Sequence, residues 1–526
     1  MSIKNTKVIL FACAVLMLSQ FTSAQAWQFV GSRAMGMGGA GVATAYGPDA
    51  QYWNPAGLTQ EEDANETGFI INAGVSLETT KNILEGVSNL TDMADQYKNL
   101  SNAIDNNLPV SAENISTIFK GLNDISKIIG KDMGAIISAD AGVGFKIKNF
   151  SVSMRALGTG SILPIVDTAN IQFNTGSSGI TIGAITTPTD ASNAASAAQL
   201  AAAIDSIPGL YNSFKTLLSD TTSSNSLELA NAIINAAATH STPTQIADAI
   251  NIAVENMTGA SEIINMAGSS TGSYEDNQTL AMADAAVLGE VSLGYGMQVF
   301  QGVKVGANLK VLSGYTAQNG VLVLSDDQKI EDILDKTNDN KKNTTNFAID
   351  LGALVNFSQL TGKDVLFNPQ VGLTARNING PKFDRPDLPV GTDPAIAANW
   401  RSDAYQLKPQ IRAGAAINPF HWMTFAADLD ITENSTILQS IKSRQLALGM
   451  EINLVNHQRF NIPLRVGYNK NLAQDDMAPF YTAGIGFHML HFYVELAGAI
   501  SNKTTNVDGR TIPTSAAATF NLGLLF

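Results

Sequence analysis

Between residues 446 and 454, Leu446, Leu448, Met450, Ile452 and Leu454 fall on one side of an extended chain. Ala447, Gly449, Glu451 and Asn453 fall on the other. Residues 303–311 repeat the arrangement: Val303, Val305, Ala307, Leu309 and Val311 oppose Lys304, Gly306, Asn308 and Lys310. In 347–357, Phe347, Ile349, Leu351, Ala353, Val355 and Phe357 oppose a face that carries Asp350, Gly352 and Asn356. Alternation with period 2 describes strands with two chemically different faces. Fourteen segments share it: roughly 68–78, 134–147, 150–160, 287–299, 302–314, 346–357, 365–377, 405–417, 422–432, 443–455, 461–469, 480–489, 491–501 and 515–526. Most run to about 10–12 residues, the length a tilted strand needs to cross a bilayer, whereas sandwich strands average about 5–6. The pattern predicts an all-β chain: a 14-stranded antiparallel transmembrane β-barrel over 68–526, with an N-terminal hatch and helical extracellular loop insertions. Closure satisfies every backbone group in lipid.

The connections alternate in length. Short turns follow the even strands, at Lys148-Asn149, around Phe300-Gln301, at 358–364, Asn418-Pro419, Asn456-His457 and Leu490. Long connections follow the odd strands, at 79–133, 161–286, 315–345, 378–404, 433–442, 470–479 and 502–514. Short periplasmic turns and long outer loops are the habit of outer-membrane barrels. The last strand ends Phe520, Leu522, Leu524, Phe526, an alternating run with a terminal aromatic. It reads as a signal for the outer-membrane assembly machinery.

Residues 1–26 read as a secretory signal: Lys4 and Lys7, an apolar run from Val8 to Leu18, then Ala24-Gln25-Ala26 as the cleavage site. No later apolar run reaches 18 residues, so no transmembrane helix is expected. Charged residues are only 15% of the chain, and the net charge is -14. That sign excludes nucleic acid as a partner. The one cysteine, Cys13, lies within the signal and excludes a disulfide framework or a thiolate metal site.

Two of the long connections carry helical signals. Ile115, Ile118, Phe119, Leu122, Ile125 and Ile129 recur at 3–4 spacing within 79–133. Within 161–286, Thr242-Pro243-Thr244-Gln245 reads as a capping box, with Ile246, Ile250, Val254 and Met257 following on one face. Such stripes either pack on each other as a cap or leave an apolar groove for a ligand.

Residues 27–67 precede the first strand and do not alternate. Gly36, Gly38 and Gly41 fit GxGxxG, but no strand precedes them and no βαβ unit follows, so close packing in a confined lumen is the better reading. The Gly/Ala-rich start through Arg33 and Gly39, the Asn54-Pro55-Ala56 tripeptide and the fourteen strands resemble the FadL-type outer-membrane transporters of long-chain fatty acids and other hydrophobic compounds. Met35-Gly-Met-Gly-Gly-Ala40 with Tyr52-Trp-Asn-Pro-Ala-Gly-Leu58 is closest to the TraF-like (conjugal transfer) branch. The resemblance implies that residues 27–67 are a hatch plugging the barrel, with Asn54, Pro55 and Ala56 inside it. It also implies capture at an outer apolar groove, an internal pocket, and lateral exit once the hatch shifts. The long insertions after the first and third strands depart from that family and are not matched to its groove-forming loops.

The face opposite the apolar one carries Asp140, Lys146, Arg155, Glu290, Lys304, Lys310, Asp350, Arg376, Lys408, Arg412, Asp428, Glu451, Arg465 and Glu495. Mutual pairing is expected, since an unpaired charge in a narrow lumen is costly. Lys304, Lys310, Arg376, Lys408 and Arg412 could alternatively meet an anionic head group. Asp428, Asp430 and Glu433 approach the predicted outer rim, as a solvated edge or a site for Ca²⁺ or lipopolysaccharide. His421, His457 and His491 fall near the periplasmic rim; no HExxH or GxSxG occurs. The expectation is a non-enzymatic, cofactor-free barrel of the bacterial outer membrane that passively admits a hydrophobic small-molecule ligand. Its expected partners are outer-membrane lipids, lipopolysaccharide and the assembly machinery. The alternative is a structural or assembly component of a conjugation or secretion complex.

Overall fold

A computed structural model describes residues 27–60, 67–80, 83, 111–126, 134–170, 190–217, 222–269, 276–322, 340–438, 441–457, 459–507 and 510–526. The predicted signal, and Ile129 of the first helical stripe, lie outside the described residues.

Strands in chain order are β1 Thr67–Thr79, β2 Ala135–Ile147, β3 Phe150–Ile165, β4 Leu280–Phe300, β5 Val303–Leu322, β6 Lys341–Asn356 and β7 Gln370–Arg376. There follow β8 Lys382–Phe383, β9 Tyr405–Gln406, β10 Gln410–Phe420, β11 Met423–Asp430, β12 Asn434–Ser435, β13 Lys442–Ser443 and β14 Gln445–His457. The last are β15 Phe460–Asn471, β16 Phe480–Met489, β17 Phe492–Ser501, β18 Thr504–Val507, β19 Arg510–Pro513 and β20 Ala516–Leu525. Fourteen of them close a barrel in the order β1 to β7, β10, β11, β14 to β17 and β20. Every neighbouring pair is antiparallel, and β20 returns to β1 with Leu525 opposite Gly68. The pairs β8–β9, β12–β13 and β18–β19 are small ribbons in the connections.

The period-2 faces orient as expected. On β4, Val291, Leu293, Tyr295 and Met297 are exposed while Glu290 and Ser292 are buried. Polar side chains therefore point into the lumen and apolar ones to the lipid, the inverse of a soluble sandwich. This is an outer-membrane barrel. Phe520 and Phe526 face outward, and Leu522 and Leu524 share their side of the strand; β20 closes the wall between β17 and β1.

β4 and β5 run longer than the alternation predicts. Leu280, Ala281, Met282 and Ala283 are buried on both faces, so no polar side marks them as strand. The helical insertion covers Ala281 and Ala283, and Ile396 of an outer loop covers Leu280 and Met282. Helices Ala112–Ser126, Ala194–Asp205, Leu210–Leu217, Ser226–Ala238 and Pro243–Ser269 share one core with Ala281, Ala283 and Val321. Ile115, Phe119, Leu122, Ile246, Ile250 and Met257 are buried there. The predicted capping box forms, with Gln245 Oε1 accepting from Thr242 N at 2.9 Å and Pro243 as the first helical residue. The described stripes pack on each other, as a cap does.

Candidate functional site

Residues 27–60 lie inside the barrel. A short helix, Ser32–Gly36, is followed by Gly38 and Gly39, whose φ angles of 70° and 90° turn the chain back as few other residues could. A second helical turn, Ala50–Trp53, leads to Asn54 and a 3-10 turn over Pro55–Thr59. Asn54 is fully buried. Its Oδ1 accepts from Ala56 N at 3.1 Å, and its Nδ2 donates to Val42 O and to Ala353 O of the wall, both at 3.0 Å. One side chain thus ties the turn, the preceding loop and β6 together.

The wall meets this segment with bare backbone. Gly306 faces Gly352 across β5–β6, Gly372 faces Gly414 across β7–β10, and Gly449 faces Gly467 across β14–β15. A methyl group on Gly306 would strike the Pro55 backbone, and one on Gly352 would strike Asn54. On Gly372 or Gly414 it would meet Val42 at 2.8 Å, and on Gly449 or Gly467 it would meet Met37 or Gly38. Sequence reading placed Gly306, Gly352 and Gly449 on the lumen face, left Gly372, Gly414 and Gly467 unplaced, and did not see that they form a seat. Their recurrence on the face opposite the apolar one was the available signal.

Each predicted segment residue has a place in that seat. Arg33 donates twice to Glu451, both at 2.9 Å, with its guanidinium 4.7 Å from the Tyr46 ring centre. Gly36 O accepts from Thr482 Oγ1 at 3.0 Å, and Gly38 N donates to the same oxygen at 3.0 Å. Gly39 O lies 3.4 Å from Arg412 Nη1. Gly41 N and Val42 N donate to Asp428 Oδ2 at 2.8 and 2.9 Å. Gly41 lies flat beneath Trp53, where a methyl would come 2.7 Å from the indole. The GxGxxG glycines serve contact with the wall and an indole.

Lys310, Arg465, Arg412 and Arg376 of the lumen are paired or stacked. Lys310 lies 3.0 Å from Asp350, 3.4 Å from Glu290 and 2.9 Å from Asn377 Oδ1. Arg465 bridges Glu451 at 2.6 Å and Glu495 at 2.7 Å. Arg412 pairs with Asp430 at 2.5 Å and stacks on Trp27 at 4.5 Å; Arg376 lies 4.7 Å from Trp27 and 4.1 Å from Tyr52. Trp27 itself stacks on Trp53 at 5.7 Å. Sequence reading missed this cation–aromatic stack, because the segment has no period from which to place its rings. Lys304 is buried in the lumen.

Two expectations are corrected. Lys408 is exposed and is not a lumen residue. Residues 407–409 leave the ladder, with Leu407 N bonded to Pro381 O, and β10 begins only after Pro409, so the alternation that placed Lys408 inward does not reach it. Asp428 and Asp430 are not a solvated rim: both are buried, committed to the segment's backbone and to Arg412.

Above the segment, outer loops fill the mouth. Phe383, Tyr405, Leu407, Ile437, Leu438, Ile441 and Met477 pack on Ile136, Leu288 and Leu312 of the wall. Arg385 reaches Asp284 at 2.5 Å, and Arg401 reaches Asp284 at 3.1 Å and Asp403 at 3.2 Å. Burial alone would raise the Asp403 carboxyl, but the Arg401 hydrogen bonds and charge outweigh it and hold the group below its usual range. Small cavities lie among these side chains. One of about 50 Å³ lies beside Arg33, Asp49, His488 and Glu495, and one of about 30 Å³ lies over Trp27 and Gln28. Each has room for only a few water-sized groups.

The family model described as F plasmid transfer operon, TraF, protein matches residues 51–430. The chain belongs to this family. The match takes in the Asn54-Pro55-Ala56 turn and the helical insertion of this TraF-family barrel, and its wall from β1 to β11. No curated protein matches the chain. Among solved structures, the toluene transporter TbuX of Ralstonia pickettii is similar at 10% identity and a TM-score of 0.40, over 94% of this chain and 98% of that one. The toluene transporter TodX of Pseudomonas putida is similar at 8% identity and a TM-score of 0.41, over 96% and 99%.

Proposed function

We propose that this TraF-family barrel passively admits hydrophobic molecules across the outer membrane, and that residues 27–60 are a hatch that must shift for a molecule to pass. The carrying observation is the outer mouth. A porin lines its mouth with polar groups around water. Here apolar loop residues occupy the mouth directly above a segment held by hydrogen bonds, ion pairs, stacking and small apolar contacts with the wall, with no covalent cross-link among the described residues. Long-chain fatty acids and alkyl aromatics are the first candidates. The finer reading gives the lumen cations structural work, since Lys310, Arg376 and Arg412 already have partners.

The test uses a reversible lock. Ser32 Oγ and Thr519 Oγ1 lie 3.2 Å apart across the hatch and β20. The chain processed after Ala26 has no cysteine, so Ser32→Cys with Thr519→Cys gives one possible bridge. Cells carrying the pair should accumulate labelled oleate or alkyl aromatics when reduced and lose that uptake on oxidation. Uptake equal to that of cells lacking the gene, in both states and across the panel, removes the transport reading and leaves the barrel intact. The second reading, an assembly component of a conjugation or secretion complex, is favoured by the family's description. Its mark is loss of plasmid transfer with unchanged accumulation of the panel.

A further inference from the structure

The 30 Å³ chamber between Trp27, Gln28 and the outer loops has a chemistry that hydrophobic uptake alone does not require. Glu78 of β1 lines it, and its carboxylate has no hydrogen-bond or ion-pair partner among the described residues. Trp27 Nε1 and Gln28 Oε1 are buried without partners among the described residues, and both residues are more than nine-tenths covered. The walls add hydroxyls of Ser138 and Thr159. The roof is different: Ile437, Ile441 and Met477 are apolar. The half-buried Glu78 carboxylate and the buried Gln28 carbonyl oxygen, each left unpaired, cost free energy that a donor-bearing group recovers.

We infer that the chamber is a head-group site for an amphiphile whose polar end donates hydrogen bonds, best a protonated amine. The ammonium sits beside Glu78 and Gln28, and the tail leaves between the roof side chains. An ammonium group is close to the size of a water molecule, which the chamber accommodates as it stands. An anionic head meets Glu78 as a like charge. The assignment deepens the uptake reading by naming a ligand class and rests on it for biological meaning, but binding is measured separately from transport.

The experiment titrates the processed protein in lipid nanodiscs with octylamine, 1-octanol and octanoate at pH 7. Tryptophan fluorescence is the readout, and empty nanodiscs correct for partitioning. Octylamine should bind at least about tenfold more tightly than octanoate, with octanol between them. Glu78→Gln should abolish the amine's advantage and leave octanol unchanged, in protein whose heat-modifiable migration reports a folded barrel. Octanoate binding as tightly as octylamine overturns the assignment. So does an amine preference that survives Glu78→Gln, or a ranking erased because the amino group of Trp27 in the processed chain already neutralises Glu78. The wild-type ranking alone decides the matter if the variant does not fold. Selective binding without cellular uptake would sink the transport reading and not this one.

Discussion

Glu451 sits between two guanidiniums, Arg33 of the N-terminal segment and Arg465 of β15, and Arg465 leans in turn on Glu495. Removing one partner of a buried pair leaves an uncompensated charge and costs about 3–5 kcal/mol, more than replacing the whole group. Glu451→Gln should therefore loosen the segment without unfolding the barrel, seen as intermittent openings in planar-bilayer recordings where the parent is closed. The glycine seat is tested by bulk. Gly306→Val places a branched side chain against the Pro55 backbone, which has nowhere to retreat. This variant should insert normally and conduct steadily. The inward positions of Lys310, Arg412, Asp428, Glu451 and Arg465 were legible from parity alone. Their partners were not, because alternation gives a face and no neighbour. Lys408 shows the limit: parity means nothing once a chain leaves the ladder at Pro409.

At the scale of elements, the helical cap and the wall are separable. The Thr242–Gln245 box holds the start of the 27-residue helix Pro243–Ser269, which packs on Ala112–Ser126. Thr242→Ala should cost about 1 kcal/mol of cap stability. Limited proteolysis should cut the cap faster while heat-modifiable migration of the barrel stays the same. All fourteen wall strands were legible, because lipid on one side and a polar lumen on the other impose period 2 on every crossing. The outer ends of β4 and β5 were not. Residues 280–283 are covered on both faces, and the pattern that identifies a strand vanishes where both faces are dry. The short outer ribbons, such as β8–β9, were missed for want of length.

At the scale of the molecule, a polar lumen is occupied by the chain's own N-terminal segment, which we propose as its plug. Asn54, Asp428, Thr482 and the glycine pairs fit its backbone to the wall around much of the circumference, and apolar loops close the mouth above it. The segment's location could be expected from its Gly/Ala-rich composition and its lack of alternation. Its path could not, since the turns at Gly38, Gly39 and Asn54 answer to contacts with strands hundreds of residues away. The most direct measurement is the conductance of the processed chain against the same chain lacking residues 27–60, each reconstituted in planar bilayers after heat-modifiability shows a folded barrel. The account predicts a closed full-length protein and a steady open pore in the deletion. A full-length protein that conducts as freely as the deletion, or a folded deletion that stays closed, would contradict it.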